Sequence, residues 1–109
     1  MIKRIGVPMC ALLAALAAFL VVPSSLRAQS ASQTLYQAKC AACHGADGTG
    51  SPMGKKLGAQ DFTSADVQKM SDAELTDIIA NGKNKMPKYS SLKPDEIKGL
   101  VAYIRTLKK

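Results

Sequence analysis

The most informative segment of the sequence is Cys40-Ala41-Ala42-Cys43-His44, which holds the only histidine of the chain and its only cysteines outside the first thirty residues. On one helical turn, residues three apart lie on the same face. Two thiols at this spacing can reach both vinyl groups along one side of a porphyrin, and the next imidazole can point at the iron. Cys-x-x-Cys-His is the pattern of c-type haem attachment. It predicts one haem held covalently by Cys40 and Cys43, with His44 as an iron ligand.

Three other interpretations of this motif are weaker. A structural zinc site needs four ligands, and the chain has neither a second His nor a fourth Cys. A thioredoxin-like redox pair needs a βαβ context, whereas no strand-like alternation follows residue 30. A simple disulfide is compatible with export but leaves the small core unexplained. A haem-free module that holds a disulfide or a metal therefore stays open as another class of function.

Residues 1–28 have the pattern of a secretory signal peptide. A positively charged start precedes an apolar run from Ile5 to Val22, and small residues near Ala28 to Ala31 suit cleavage. The expected location of the processed protein is the periplasm. The alternative is an uncleaved anchor helix, because the apolar run approaches the length that spans a bilayer.

The remainder of the chain is small and basic. Without residues 1–28, 81 of the 109 residues remain, and the formal charge falls from +7 to +4 because three basic residues are lost. A chain of this length forms a marginal core unless a disulfide, a metal or a cofactor supports it. Its length excludes multidomain enzymes, long repeat arrays and multi-pass membrane proteins. We therefore expect one domain over residues 32–109, built around its cofactor.

Three helices are predicted in this domain. The first covers residues 32–43, with Ser32 as its N-cap. The second follows the capping box Ser71-Asp72-Ala73-Glu74 and runs to about Ala80, and Gly82 is suited to a left-handed cap.

The third predicted helix begins at Pro94. It carries a helical stripe of apolar residues, namely Ile97, Leu100, Val101, Ile104 and Leu107. Residues 45–60 and 83–93 are predicted loops. Residues 61–70 contain at most a short turn, with Phe62 facing inward.

The chain has no second histidine, so Met53, Met70 and Met86 are the candidates for the sixth iron ligand. A thioether suits an iron held in both oxidation states, and His/Met ligation raises the reduction potential. Met70 directly precedes a helix cap, and Met53 follows His44 by only nine residues. Met86 lies in a loop before Pro87, which restrains it to extended geometry. This favours Met86, although filling of the core remains an alternative role for any methionine.

Further residues make positions 32 to 109 resemble a small bacterial class I cytochrome c. The shared features are Tyr36 four residues before Cys40, the run Cys40 to Gly45, Asp47-Gly48-Thr49-Gly50, Ile79-Ala80-Asn81-Gly82, Met86-Pro87 and Tyr103-Ile104-Arg105. The resemblance implies an all-α class I cytochrome c fold, with about three main helices wrapped around one haem c. It implies that the first and last helices cross, with Tyr36 near Tyr103.

The same resemblance implies two further site roles. It makes Met86 the second axial ligand of the iron. It also makes the Pro52 carbonyl the acceptor for the His44 ring N–H, a contact that would fix the ring and raise its basicity.

Two filled axial positions would leave no iron site for a substrate, which favours a one-electron carrier over an enzyme. A haem-based enzyme or gas sensor with an open sixth position is the alternative. We expect the carrier to be a monomer that serves exported or membrane-bound redox partners, with membrane contact only through the leader or those partners.

Lysines surround the expected site. Lys83, Lys85 and Lys88 flank Met86, and Lys55 and Lys56 lie in the other haem-side loop. They predict a basic rim that steers docking to acidic surfaces of redox partners, with an ordinary solvated surface as the alternative. No nucleic-acid partner is expected, because the basic loop holds a single aromatic residue.

Overall fold

The structure is a computed structural model that describes Val21 and residues 23–109. Most of the predicted signal peptide lies outside these residues. The described part forms six helices, which are α1 Ser24–Lys39, α2 Ala41–His44, α3 Pro52–Lys56, α4 Ala65–Gln68, α5 Asp72–Asn81 and α6 Pro94–Thr106. Within this part the only β-type pairing is an isolated bridge between Lys83 and Met86. The prediction of an all-α fold is confirmed.

Helix α1 begins earlier than predicted, at Ser24 directly after Pro23. Ser32 is therefore not an N-cap, and its hydroxyl donates to the Ala28 carbonyl at 2.9 Å inside the helix. All residues from Ser24 to Ala31 are exposed. Because this part of the helix packs on no core, no apolar periodicity in the sequence marks it.

The predicted helix over residues 32–43 is divided at Cys40, whose φ of −117° and ψ of −34° depart from regular helix geometry. The Cys43 N–H bonds to the Cys40 carbonyl at 3.2 Å, as in a tight turn. Helix α2 then runs to His44.

Helix α3 lies inside the predicted loop 45–60, so the prediction of a continuous loop is wrong. The Ser51 hydroxyl accepts the Gly54 N–H at 3.0 Å, and Pro52 occupies the first helical position. A Ser cap followed by Pro is a helix start signal that the many glycines nearby obscured. Gly54 is buried, and a Cβ there would overlap the Cys43 carbonyl. Helix α3 therefore packs directly on the backbone of α2.

Helices α5 and α6 begin where the sequence predicts. The Ser71 hydroxyl accepts the Glu74 N–H at 3.1 Å, which confirms the capping box. Helix α5 ends at Gly82, whose φ of 76° is positive as expected. Its ψ of 169° is extended, however, so the chain leaves the helix without a left-handed turn. Pro94 begins α6, as predicted.

The core forms where α6 packs against α1 and α5. Helices α1 and α6 cross as expected, and the ring centroids of Tyr36 and Tyr103 lie 4.8 Å apart. Gly99 permits this approach, because a Cβ there would overlap the Ser32 hydroxyl. The buried hydrophobic residues are Tyr36, Phe62, Val67, Leu75, Ile79, Ile97, Leu100, Val101 and Ile104. The inward position of Phe62 and four of the five stripe positions are thus confirmed, while Leu107 is half-buried.

None of the helices among the described residues is long and apolar enough to cross a membrane.

Candidate functional site

Cys40 and helix α2, which contains Cys43 and His44, form a turn that Tyr36 holds in place. The Tyr36 side chain is fully buried, and its hydroxyl donates to the Gly45 carbonyl at 2.7 Å. Gly45 directly follows His44, so this bond ties the end of α2 to α1. Burial, as the largest cause, raises the pKa of Tyr36, which keeps the hydroxyl a donor. The break at Cys40 and this anchor together set the direction of α2.

Cys40 and Cys43 are free thiols, and each is half-buried. Burial raises the pKa of the Cys40 thiol to about 11, so it is protonated at neutral pH. A redox-active Cys-x-x-Cys pair instead relies on a cysteine with a lowered pKa. The environment of Cys40 therefore argues against the thioredoxin-like interpretation and suits a cysteine that holds a group covalently.

The His44 ring stacks on Phe62, with centroids 4.1 Å apart and planes 20° apart. Its Nδ1 lies 3.4 Å from the Gln60 carbonyl oxygen. A carbonyl only accepts hydrogen bonds, so Nδ1 carries the proton in this contact and Nε2 keeps its lone pair. Burial lowers the pKa of His44, and the Gln60 contact opposes that shift. The structure thus holds a neutral imidazole with one free nitrogen, which is the form that binds metals.

The acceptor at His44 differs from the predicted one, because the structure places the Gln60 carbonyl there and not the Pro52 carbonyl. Pro52 is the first residue of α3. The carbonyl of a first helical residue points along the axis toward the N–H four residues later, so it is directed away from this role. A backbone acceptor carries no side-chain signature, and the sequence therefore held no signal for Gln60.

The Asp47-Gly48-Thr49-Gly50 motif forms the turn that supports Phe62. The Asp47 carboxylate accepts the Thr49 N–H at 3.0 Å and its hydroxyl at 2.7 Å, and these bonds lower the pKa of Asp47. The Gly48 carbonyl accepts the Phe62 N–H at 2.8 Å. Gly48 has a φ of 82°, and a Cβ there would lie 2.8 Å from the Leu107 side chain. The loop thereby fixes the ring against which His44 stacks.

Met86 lies in a closed turn after α5. The Met86 N–H donates to the Lys83 carbonyl at 2.9 Å, and the Lys83 N–H returns a bond of 3.2 Å. Gly82 lets this turn close, because a Cβ there would lie 2.7 Å from the Met86 carbonyl oxygen. The Met86 side chain is half-buried and packs against the core cluster.

The other two methionines have different surroundings. Met53, on α3, is 54% exposed. Met70 packs partly against the core, and its carbonyl accepts from Arg105 at 2.5 Å in the turn before α5. A group of three or more Cys, His, Asp or Glu side chains able to hold a metal ion is absent from the described residues.

The donor set and its apolar surroundings fit a haem. Two half-buried thiols and one neutral imidazole lie on a single turn, and Cys40 packs against the apolar core cluster. Leu75, Ile79 and Leu100 are buried, and Ile78 is half-buried. The five lysines predicted to form a rim, Lys55, Lys56, Lys83, Lys85 and Lys88, are all exposed.

Comparisons with known proteins identify the family of this chain. Residues 27–104 match the family described as cytochrome C oxidase, cbb3-type, subunit III. Cytochrome c6 of Bryopsis maxima is 34% identical over 71 residues, which cover 64% of this chain and 81% of that relative.

Solved structures show the same relationship. The c-type cytochrome KustC0563 has a TM-score of 0.66 and 38% identity, over 72% of this chain and 98% of that one. A tyrosine-to-phenylalanine mutant of Kustc0563 has a TM-score of 0.63 and 36% identity, over 71% and 98% of the two chains.

The chain belongs to this cytochrome c family and is a small monohaem class I cytochrome c, an electron-transfer haem protein. Its cofactor is a covalently attached haem c, and Cys40 and Cys43 fit the attachment motif. The relatives are electron carriers, which act with redox partners.

Proposed function

We propose that this cytochrome is a one-electron carrier whose iron is ligated by His44 and Met86. The observation that supports it most directly is the contact between His44 Nδ1 and the Gln60 carbonyl at 3.4 Å. That contact leaves the lone pair of Nε2 free to bind a metal, and it fixes the orientation of the ring. Hydrogen-bond acceptors behind metal-binding histidines have the same effect. Met86 provides the complementary soft donor from a turn closed by two backbone hydrogen bonds.

The protein's own residues hold and tune the site. Haem c, when bound, supplies an iron that exchanges one electron between its ferrous and ferric states. Cys40 and Cys43 would secure the group covalently, and His44 and Met86 would supply the two protein donors to its iron. Leu75, Ile79 and Leu100, which are nearly inaccessible to solvent, exclude water, and this raises the reduction potential by disfavouring the more highly charged ferric state. With both donors bound, the iron would have no position left for a substrate.

An optical redox titration of the exported holoprotein tests this function. We expect a single one-electron transition between two six-coordinate, low-spin states, because both axial donors stay bound in each oxidation state. The reduced protein is expected not to bind carbon monoxide on mixing. A five-coordinate, high-spin spectrum in either state, together with rapid carbon monoxide binding, would instead support a haem-based enzyme or gas sensor.

We also propose that residues 1–28 are a signal peptide, that cleavage near Ala28 to Ala31 releases a domain over residues 32–109, and that the protein works in the periplasm. The exposed start of α1 supports this, because residues from Ser24 to Ala31 contribute nothing to the core. The buried part of α1 begins beyond that point, at Tyr36. Cleavage there would remove exposed helix and keep the buried Tyr36 in the chain.

The basic rim is proposed to steer acidic redox partners toward the haem side. Replacing Lys83, Lys85 and Lys88 together by Glu should slow oxidation of the reduced protein by ferricyanide, a small anionic probe. We expect the oxidation rate to fall about tenfold or more at 0.01 M ionic strength, where the Debye length is about 30 Å. At 1 M salt the Debye length is about 3 Å, so the difference should vanish. Stopped-flow kinetics across a salt series measures the slowing at low salt and its loss at high salt.

A matched variant separates the position of the charges from their number. Lys69, Lys98 and Lys108 are also exposed but lie outside the two loops. Replacing these three by Glu changes the net charge equally and should slow the reaction far less. Equal slowing by the two triple variants would show that the lysines around Met86 act only through net charge.

A further inference from the structure

The end of α1 leaves a backbone carbonyl without a backbone donor. Because the chain leaves helical geometry at Cys40, the Cys43 N–H bonds to the Cys40 carbonyl, and no backbone N–H among the described residues reaches the Lys39 carbonyl. Such end carbonyls need an outside partner. The Tyr89 hydroxyl supplies it, since it donates to the Lys39 carbonyl at 3.0 Å across fifty positions of sequence.

Tyr89 is also fixed at its backbone. Its N–H donates to the Ile79 carbonyl on α5 at 3.0 Å, and its ring packs partly against the core. Tyr89 lies three positions after Met86, a span of at most about 10 Å. The segment after Met86 is therefore held both to α5 and to the residue that precedes the first haem-attachment cysteine.

The turn before Met86 is less secure. Lys83, Asn84 and Lys85 are exposed, and Asn84 has a φ of 52°, which is unusual for a non-glycine residue. The turn's backbone bonds connect Lys83 and Met86 to each other and do not connect them to a helix. Segments of this kind open locally at low free-energy cost. Tyr89 is consequently the anchor nearest to Met86 that reaches the haem-attachment turn.

We propose that Tyr89 is a positioning residue that holds the Met86 loop against the haem-attachment turn through its hydroxyl bond to Lys39. This rests on the proposed ligation of the iron by Met86. The bond fixes the loop relative to Cys40, so the thioether stays at the iron and competing ligands are disfavoured. Without the hydroxyl, conformations with the loop displaced are more populated, and an external ligand binds more tightly in proportion to that population.

Cyanide binding to the ferric holoprotein tests the proposal. Tyr89→Phe keeps the ring and removes only the hydroxyl. We expect its cyanide affinity to rise about fivefold, the change that corresponds to one net hydrogen bond. Tyr103→Phe is the matched control, because the described residues offer no hydrogen-bond partner to its hydroxyl. That variant should retain the wild-type affinity. Equal affinities in the two variants would overturn the role of Tyr89.

A second comparison shows whether Tyr89 acts through Met86. Met86→Ala should itself raise cyanide affinity strongly, and adding Tyr89→Phe to it should cause no further change, because no axial sulfur remains to be positioned. A fivefold increase that persists in the Met86→Ala background would mean a general structural effect and would contradict the proposal. If Met86→Ala leaves the affinity unchanged, the proposed ligation fails, and the positioning role fails with it. If Met86→Ala raises the affinity and Tyr89→Phe does not, only the positioning role fails.

Discussion

The Met86→Ala holoprotein is expected to have an open sixth position at its iron. Its ferric form should become partly high-spin, and its ferrous form should bind carbon monoxide, because alanine offers no donor. Met86→His should remain six-coordinate and low-spin, since imidazole replaces thioether. It should also have a lower reduction potential, by about a tenth or more of the roughly 0.8 V range over which axial ligands set haem potentials. Optical spectra and a redox titration measure these changes.

The other methionines serve as controls for this result. Met53 is exposed on α3, and Met70 lies in the turn that Arg105 binds. Replacing either by alanine should leave the visible spectrum and the potential unchanged. If Met86→Ala has the wild-type spectrum and Met53→Ala or Met70→Ala shows the change, the methionine whose replacement causes the change is the sixth ligand. Carbon monoxide binding by the wild type and all three variants alike would indicate that the sixth position is open from the start.

Gly54→Ala should be among the most destabilising single substitutions in the domain. Its added Cβ would overlap the Cys43 carbonyl, a backbone atom that cannot move without moving α2. Overpacking of a close contact costs about 1–3 kcal/mol and at times more, and here the displaced atoms carry the haem-attachment turn. We expect a loss of about 3 kcal/mol or more in the free energy of unfolding, measured by guanidinium denaturation, and a lower yield of holoprotein.

Gly58→Ala is the matched control for that substitution. A Cβ at Gly58 meets no atom within 4 Å, so its cost comes only from its φ of 82°, about 1–2 kcal/mol for an L-residue in that region. Gly54→Ala should therefore be clearly the more destabilising of the two. Equal losses in the free energy of unfolding would mean that the close contact between α3 and α2 contributes little to stability.

A structural feature could be predicted from the sequence when its cause lies in neighbouring residues. Helix α6 has a proline start and an apolar stripe, and α5 has a capping box, so both signals are local and the structure confirms both. The crossing of Tyr36 with Tyr103 followed from the family resemblance. The start of α1 was not predictable, because exposed helix has no apolar periodicity.

The site shows the same division between local and distant causes. Cys40, Cys43 and His44 form a contiguous motif, so the sequence identifies the attachment turn directly. The acceptor for His44 is a main-chain oxygen, at Gln60, and any residue type could have supplied it. The bond from Tyr89 to Lys39 spans the domain and depends on a helix break at Cys40. Contacts of this kind are set by tertiary geometry, which a single sequence does not display.

The crossing of α1 and α6 has a consequence for how the protein is made. Fifty positions separate His44 from Pro94, where α6 begins, so the ribosome completes the attachment motif well before the last helix. The core cannot close until α6 exists, because four of the nine buried hydrophobic residues belong to it. Non-local pairing of this kind delays folding. We therefore expect covalent loading to come first, while both thiols are accessible in the open chain, and closure by the carboxyl-terminal helix second.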